Sequence, residues 1–325
     1  VMAPAVVRVA AALLGAVIVS PAWAEGWPAG QPITMVLPSG PGGSSDPLAR
    51  LLAEEMGKRL NQSIVVVNRP GAGGNVGMAQ AARAKPDGYT VVLSWTGPLA
   101  TNLALYRDVG WNPSRDLVPV GMVGCTPNVL AVSPTFPASS LPGFLDYARA
   151  HSGAVSYGTT GVGSSWHIAG EMLNQKADGA LVHIPYPTPG GPMADLAGGR
   201  LQAIFPVIPM TVPHVRASTL KVLVVFSERR SAVLPEVPTT AEAGYPGLVS
   251  ETCFALLAPT GIPAEVIARL NGTLNDVLAA PATRERVSDM GLTIQTGAPD
   301  RVTAFLATEV PRQASIVHAS GARAD

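Results

Sequence analysis

The chain has 325 residues, 47% of them hydrophobic and 14% charged, and its 22 basic and 22 acidic side chains cancel. This is a globular composition of a length that suits two domains, and charge neutrality excludes nucleic acid or an anionic membrane surface as the main partner. The 31 Pro and 34 Gly call for many ordered turns.

Residues 1–24 read as a secretory signal. Arg8 is the lone early charge, Val9–Val19 is an apolar run, and Ala22-Trp23-Ala24 has the form of a cleavage site. The run is too short to span a bilayer, and no Cys at the cleavage point offers a lipid anchor. The mature protein is therefore expected in the periplasm, as a monomer.

Ile33–Leu37 is a short apolar run, read as a buried strand. Pro38–Ser45, broken by three Gly and two Pro, is a loop. Asp46-Pro47 has the form of an N-cap followed by a first helical position, and Leu48, Leu51, Leu52, Met56 and Leu60 continue at helical spacing. Such a strand–glycine–helix unit aims unpaired backbone N–H groups and the positive end of a helix dipole at one point, which suits a carboxylate. Gly42 and Gly43 allow close approach, and Ser39, Ser44 and Ser45 add hydroxyls. Turns of this kind also occur throughout α/β proteins without binding anything, so a second unit of the same chemistry is what gives the first its meaning.

Ser63–Val67 is the next strand, Asn75–Ala84 a helix of small residues, and Tyr89–Ser94 a third strand that runs into Ser94-Trp95-Thr96-Gly97. The β-α-β-α-β order implies a parallel sheet covered by helices, with ligands beyond the carboxyl ends of the strands. Asp116–Val123 and Asn128–Val132 are further apolar pieces, and Leu141–Ala150 is a helix. The second strand–glycine–helix unit follows, with Val155–Tyr157 leading into Gly158–Ser165 and a helix from Trp166 to Gln175. Strands at Val182–Tyr186, Leu201–Phe205 and Lys221–Phe226, with a short helix at Met193–Gly198, repeat the alternation. Leu248–Pro259 is extended, and helices at Pro263–Ala279, Pro281–Met290 and Pro299–Ala319 close the chain. The expected fold is α/β and two-lobed, each lobe a mostly parallel sheet flanked by helices. One lobe comprises 25–125 with 250–325, the other 126–249.

Other chemistries find little support. The first loop lacks the Lys and spacing of a nucleotide P-loop, and Gly71-Ala72-Gly73-Gly74-Asn75-Val76 has Val where a dinucleotide fingerprint needs its third glycine. The glycines there fit helix packing better. No metal spacing is present among five His and two Cys, and no cofactor is expected. A hydrolase reading would use Ser164 or Ser165 with His167, but no orienting acid can be named and His167 reads more simply as a satisfied polar residue at a helix start. Asp46 could hold a ligand's amino group, though its cap role explains it more cheaply. Trp95, Tyr157, Trp166 and Phe205 fall near loop mouths, as expected either for a flat ligand or for packing between lobes. Cys125 and Cys253 lie in the two expected crossover strands. They form one disulfide if those strands pair in register, and two buried thiols if the register slips by one.

Several stretches together resemble a known family. Pro38-Ser39-Gly40-Pro41-Gly42-Gly43-Ser44-Ser45-Asp46, Asn68-Arg69-Pro70-Gly71-Ala72-Gly73-Gly74 and Pro86-Asp87-Gly88-Tyr89-Thr90 are similar to the Bug family, the extracytoplasmic solute receptors of tripartite tricarboxylate transporters. Tyr157-Gly158-Thr159-Thr160-Gly161-Val162-Gly163-Ser164, His183-Ile184-Pro185-Tyr186, Asp195-Leu196-Ala197-Gly198-Gly199, Val237-Pro238-Thr239-Thr240 and Ala258-Pro259-Thr260-Gly261-Ile262-Pro263 continue the likeness in order. The resemblance implies a Venus-flytrap receptor, not an enzyme, whose two glycine loops pinch a carboxylate for a membrane permease or, alternatively, for a sensor kinase. It points to Ser39, Gly42, Gly43, Ser44, Asp46, Thr159, Thr160, Gly163 and Ser164. Ser165 and His167 after the second glycine loop, Ser94 and Thr96 in the loop that follows the third strand, and Pro189 in the loop Pro187–Pro192 join the candidate set. Where many members carry Pro-Tyr-Lys-Gly, this chain has Pro185-Tyr186-Pro187-Thr188-Pro189-Gly190-Gly191, which leaves that loop neutral.

Overall fold

The computed structural model describes residues 26–42, 45–113 and 115–324. The expected signal segment, together with Gly43 and Ser44, lies outside these residues.

The first lobe begins with β1 (Ile33–Leu37), α1 (Ser45–Leu60), β2 (Ile64–Asn68), α2 (Asn75–Ala82) and β3 (Thr90–Trp95). β1 pairs in parallel with β2 on one side and β3 on the other. A π turn at Gly97–Thr101 leads into α3 (Asn102–Leu105), and β4 (Leu117–Pro127) then crosses toward the second lobe. That lobe holds β5 (Val129–Val132), α4 (Leu141–Ala150), β6 (Val155–Thr159), α5 (Ser165–Lys176), β7 (Leu181–Pro185), α6 (Gly190–Ala197), β8 (Ala203–Ile204), α7 (Ile208–Arg216) and β9 (Lys221–Val225). The chain returns through β10 (Glu251–Pro259) and ends with α8 (Ala264–Ala279), α9 (Pro281–Asp289), β11 (Thr293–Ile294) and α10 (Asp300–Ser320).

Two sheets result, in the orders β11-β4-β10-β3-β1-β2 and β7-β6-β8-β5-β9. Both are mixed. β1, β2 and β3, and β6, β7 and β8, run parallel with helices between them. The crossover strands add antiparallel pairs instead: β10 against both β3 and β4, and β5 against both β8 and β9. The expected parallel core is present, and the crossovers account for the antiparallel remainder.

Alternation along the strands gives the first sheet two buried faces. Ile33, Met35 and Leu37 face α1 and α8, while Val36 and Val92 face α2 and Val302 of α10. The second lobe has one core, centred on Tyr157, Phe144, Phe205 and Phe226. α10 starts on the first lobe, yet its Val317 packs into the core of the second, so this helix ties the two together.

The crossover strands pair in register, with Cys253 directly opposite Cys125. The two form a disulfide across 128 positions of sequence. Just beyond it, Asn128 knots the crossings. Its N–H donates to the Ser250 carbonyl (2.8 Å), its carbonyl accepts from Phe226 N–H (2.9 Å), and its Nδ2 donates to the Phe205 carbonyl (2.7 Å).

α7 and the segment Gly97–Leu105 were not foreseen from sequence. Pro209 and Pro213 argue against a helix there, but Pro209 falls in the first turn, where the missing N–H costs nothing.

Candidate functional site

Between the lobes lies a cavity of about 370 Å³. The first lobe supplies the loop after β1, the turn before α2, the end of β3 and two residues of β10. The second supplies the loop after β6, the first turn of α5, the loop before α6 and part of α7. The carboxyl ends of strands in both lobes thus open onto one space.

Ser39 and Ser45 reach the cavity from the first lobe, their hydroxyls 2.9 Å apart. Thr160, Gly163, Ser164 and Ser165 reach it from the second, and Pro189 completes that rim. Helix α1 begins at Ser45, one residue before the expected cap, so Asp46 sits inside the first turn. The first-turn amides of Ser45 and Asp46 in α1, and of Ser165 and Trp166 in α5, have no acceptor four residues back within their helices. Ser45, Ser165 and Trp166 all line the cavity, which places the positive ends of two helix dipoles on it from opposite lobes. No Lys, Arg, His, Asp or Glu stands among the described lining residues.

The remaining expected residues support this arrangement from behind. Gly42 and Asp46 are not in the lining. The Asp46 carboxylate takes Arg50 (3.0 and 3.2 Å) and Asn68 Nδ2 (3.0 Å). The Arg50 hydrogen bond, with help from Asn68 and the Gly42 amide, holds its pKa below the ordinary carboxylate value despite burial. Asn68 also donates to the Ser39 carbonyl (3.1 Å) and so clips the loop shut. In the second lobe, Thr159 is fully buried. Its hydroxyl meets His183 Nε2 (2.7 Å) and the Gly161 amide (3.2 Å).

His167 is 4% exposed and faces inward. Its Nδ1 accepts the Gly163 N–H at 3.2 Å, so that amide serves the loop. Its Nε2 lies 3.8 Å from the Glu171 carboxylate, and its ring sits 4.3 Å from that of His183. Burial, with His183 beside it, lowers the His167 pKa to about 4, and burial lowers that of His183 too. Both are neutral near pH 7. The Ser164 hydroxyl donates to the Gly161 carbonyl (2.8 Å) and accepts the His167 amide (3.3 Å), capping α5. The Ser165 hydroxyl faces Asn128 Nδ2 at 3.4 Å. These partners leave neither hydroxyl on the His167 ring, as a serine nucleophile would need.

Gly163 has φ +79° and abuts Leu105 of the first lobe; a Cβ there would collide with that side chain. Here the two lobes touch beside the cavity.

Ser94 on β3 and Thr96 just past its end flank Trp95; Trp95 lines the cavity and they do not. Thr96 instead accepts the Cys253 amide at 2.9 Å. Of the four aromatics flagged by sequence, Trp95 and Trp166 line the cavity. Tyr157 and Phe205 are core residues in edge contact with each other, and the Tyr157 hydroxyl donates to Glu171. Phe254 and Thr252 were missed. Both are on β10, Phe254 as the register partner of Trp95. Period-2 alternation sends Thr252 and Phe254 to the cavity side while Cys253 faces the disulfide. Asn102 and Gly97 were missed with their turn.

A two-lobed α/β frame with a dipole-lined cleft between the lobes defines a solute-binding protein. Residues 48–322 match the family described as "Tripartite tricarboxylate transporter family receptor", and the chain belongs to that family. It is 37% identical over 307 residues to Protein BugT of Bordetella pertussis, covering 94% of each chain. Among solved structures it is similar to an R. palustris protein with adipate, with TM-score 0.84, 30% identity and 91% and 98% of the two chains covered. It also resembles MatC from Rhodopseudomonas palustris with bound malate, with TM-score 0.80, 29% identity and 89% and 99% covered. No helix among the described residues is long and apolar enough to cross a membrane.

Proposed function

We propose that the chain is an exported receptor that captures a small carboxylate between its lobes and delivers it to a membrane permease. The division into lobes follows residues 25–125 with 250–325 and residues 126–249. Ser39, Ser45, Thr160, Ser164 and Ser165 hold the carboxylate through hydroxyls and first-turn amides, with Gly42, Asp46, Thr159, Gly163 and His167 shaping the two loops. Adipate and malate in two solved relatives are both carboxylates. The observation that carries the reading is the convergence of the α1 and α5 N-termini on one cavity from separate lobes. A ligand touching both lobes stabilises the closed arrangement by the contacts it makes only there. Isothermal titration of protein unfolded, washed free of ligand and refolded, against a panel of carboxylates, tests this. Saturable heat with at least one acid is expected, and silence across the panel overturns the reading.

A further inference from the structure

We infer that Arg323, on the segment that follows α10, draws the carboxylate into the cleft, so that attraction and grip belong to separate parts of the molecule. This rests on the receptor reading above and adds a residue to it.

The cavity between the lobes has no cation among its described lining residues. Besides the starts of α1 and α5 it meets the Gly71–Gly74 turn before α2, and Asn102, whose Nδ2 donates to the Gly73 carbonyl (3.1 Å) and to Asn75 Oδ1 (2.8 Å). All of these groups are neutral dipoles. The field of a dipole falls off faster with distance than that of a charge, and a helix end acts only close to its own turn. Such a wall holds an anion that has arrived and pulls weakly on one still in solvent.

A second cavity, of about 580 Å³, adjoins the first and shares Gly73, Thr160 and Val162 with it. Its lining adds Tyr106 and Arg323. Val162 is 38% exposed and Arg323 is exposed, so this space opens to solvent. Arg323 is the one charged residue among the described lining of both cavities.

The backbone holds Arg323 in place. Gly321 ends α10 in the left-handed region (φ +67°) and turns the chain off the helix axis. Ala322 and Ala324 then pack against the core of the second lobe, and the Ala324 amide donates to the Leu105 carbonyl (3.3 Å). Leu105 is the side chain that abuts Gly163. Arg323, between two half-buried alanines, faces outward. Among the described residues its guanidinium has no hydrogen-bond or ion-pair partner, so no described acid neutralises it. At the mouth it keeps its hydration, which a cation inside the wall would lose, and its field reaches about 10 Å into dilute buffer.

Stopped-flow mixing tests this, with the fluorescence of Trp95 and Trp166, which line the cavity, as the signal. Refolded, ligand-free protein is mixed with benzoate, malate and adipate, and association and dissociation rates are read separately. At low ionic strength Arg323→Gln is expected to slow association about threefold for benzoate and roughly tenfold for the two dianions, because the attraction scales with ligand charge. The difference should vanish in 1 M salt, where charges are felt over only about 3 Å. Dissociation should keep the wild-type rate. Arg323→Lys, which retains the charge, should associate as wild type does. Arg286→Gln, on α9 and outside both linings, removes the same charge and should leave association unchanged. Unchanged association in Arg323→Gln, equal slowing by Arg286→Gln, or an Arg323→Lys variant as slow as the Gln variant overturns the inference and leaves the receptor reading intact. Faster dissociation with unchanged association makes Arg323 part of the grip and overturns it as well. Silence from all three probes also overturns it, whereas the receptor reading falls only with the wider panel of acids.

Discussion

The two glycine turns that meet at the cavity present similar groups and are braced in opposite ways. The turn after β1 is braced by charge: the Asp46 carboxylate gathers Arg50, Asn68 and the Gly42 amide. The turn after β6 is braced by neutral groups: the Thr159 hydroxyl, the His167 ring and the Ser164 hydroxyl take the Gly161, Gly163 and His167 amides. In each lobe a side chain near the helix start fixes the loop, leaving the outward amides of Ser45 and of Ser165 and Trp166 for a ligand. Asp46, Arg50 and His167 stand behind the wall, so no charged or titratable side chain is among the described lining residues. The difference predicts which lobe yields to which perturbation.

The largest expected effect is a control that spares both turns. Replacing the disulfide, as Cys125→Ser with Cys253→Ser, removes the closure of a loop of 128 positions. That should cost roughly 4–5 kcal/mol in urea unfolding under the chain-entropy account. Because neither turn touches the sulfurs, the pH response described next should persist in this variant.

Acid should act on the second turn first. His167 is held near a pKa of about 4 in the folded protein, against 6.5 as its ordinary value. The unfolded chain therefore binds more protons between these values, and stability falls as pH drops from about 6.5 to 4, after which this contribution is exhausted. About 3 kcal/mol is at stake. Asp46 is displaced in the same direction but from a lower ordinary value, so its contribution is lost only as pH falls through 3.8 toward its lowered folded pKa. Urea unfolding at pH 7, 5.5 and 4 should show the decline, and His167→Asn should make it shallower, leaving the share of His183, whose pKa burial also lowers. An equal slope in the variant would assign the response elsewhere.

Salt should distinguish the first turn. Asp46→Asn keeps the size and loses the charge-assisted bonds to Arg50, whose side chain is 57% exposed and therefore screened. A loss of about 1–2 kcal/mol is expected at low ionic strength, shrinking in 1 M salt. His167→Asn should show no such salt dependence.

Much of this frame could be read from the chain. Apolar runs bounded by Gly and Pro located β1, β2, β3, β6 and β7, and the joint spacing of Ser39–Asp46 and Thr159–Ser165 located both turns. What failed was the side of each element. Trp95 faces the cavity and its neighbours Ser94 and Thr96 do not, a distinction of one residue that no composition reveals. Tyr157, next to Gly158 and Thr159, was equally placed by sequence and went to the core instead. Thr252 and Phe254 were invisible for another reason: their place depends on β10 pairing with β3, a contact across more than 150 positions. The cysteines offered a clue only to the pairing of β10 with β4, and only if their register was assumed.

The smallest expected effect concerns Ser164, where bracing and binding overlap. Its hydroxyl caps α5 through the His167 amide and also bonds the Gly161 carbonyl, and the residue lines the cavity. Ser164→Ala should cost about 1 kcal/mol of stability as a lost cap. Ser164→Gly should cost only a few tenths as a cap, since glycine is tolerated there, while losing the hydroxyl from the wall just the same. If the hydroxyl contacts the ligand, both variants lose affinity alike although their stabilities differ. If it only braces the helix, affinity follows stability, and glycine should bind nearly as wild type does. Titration and urea unfolding on the two variants side by side separate the roles, because the cap ranking and the hydrogen-bond loss run in different orders.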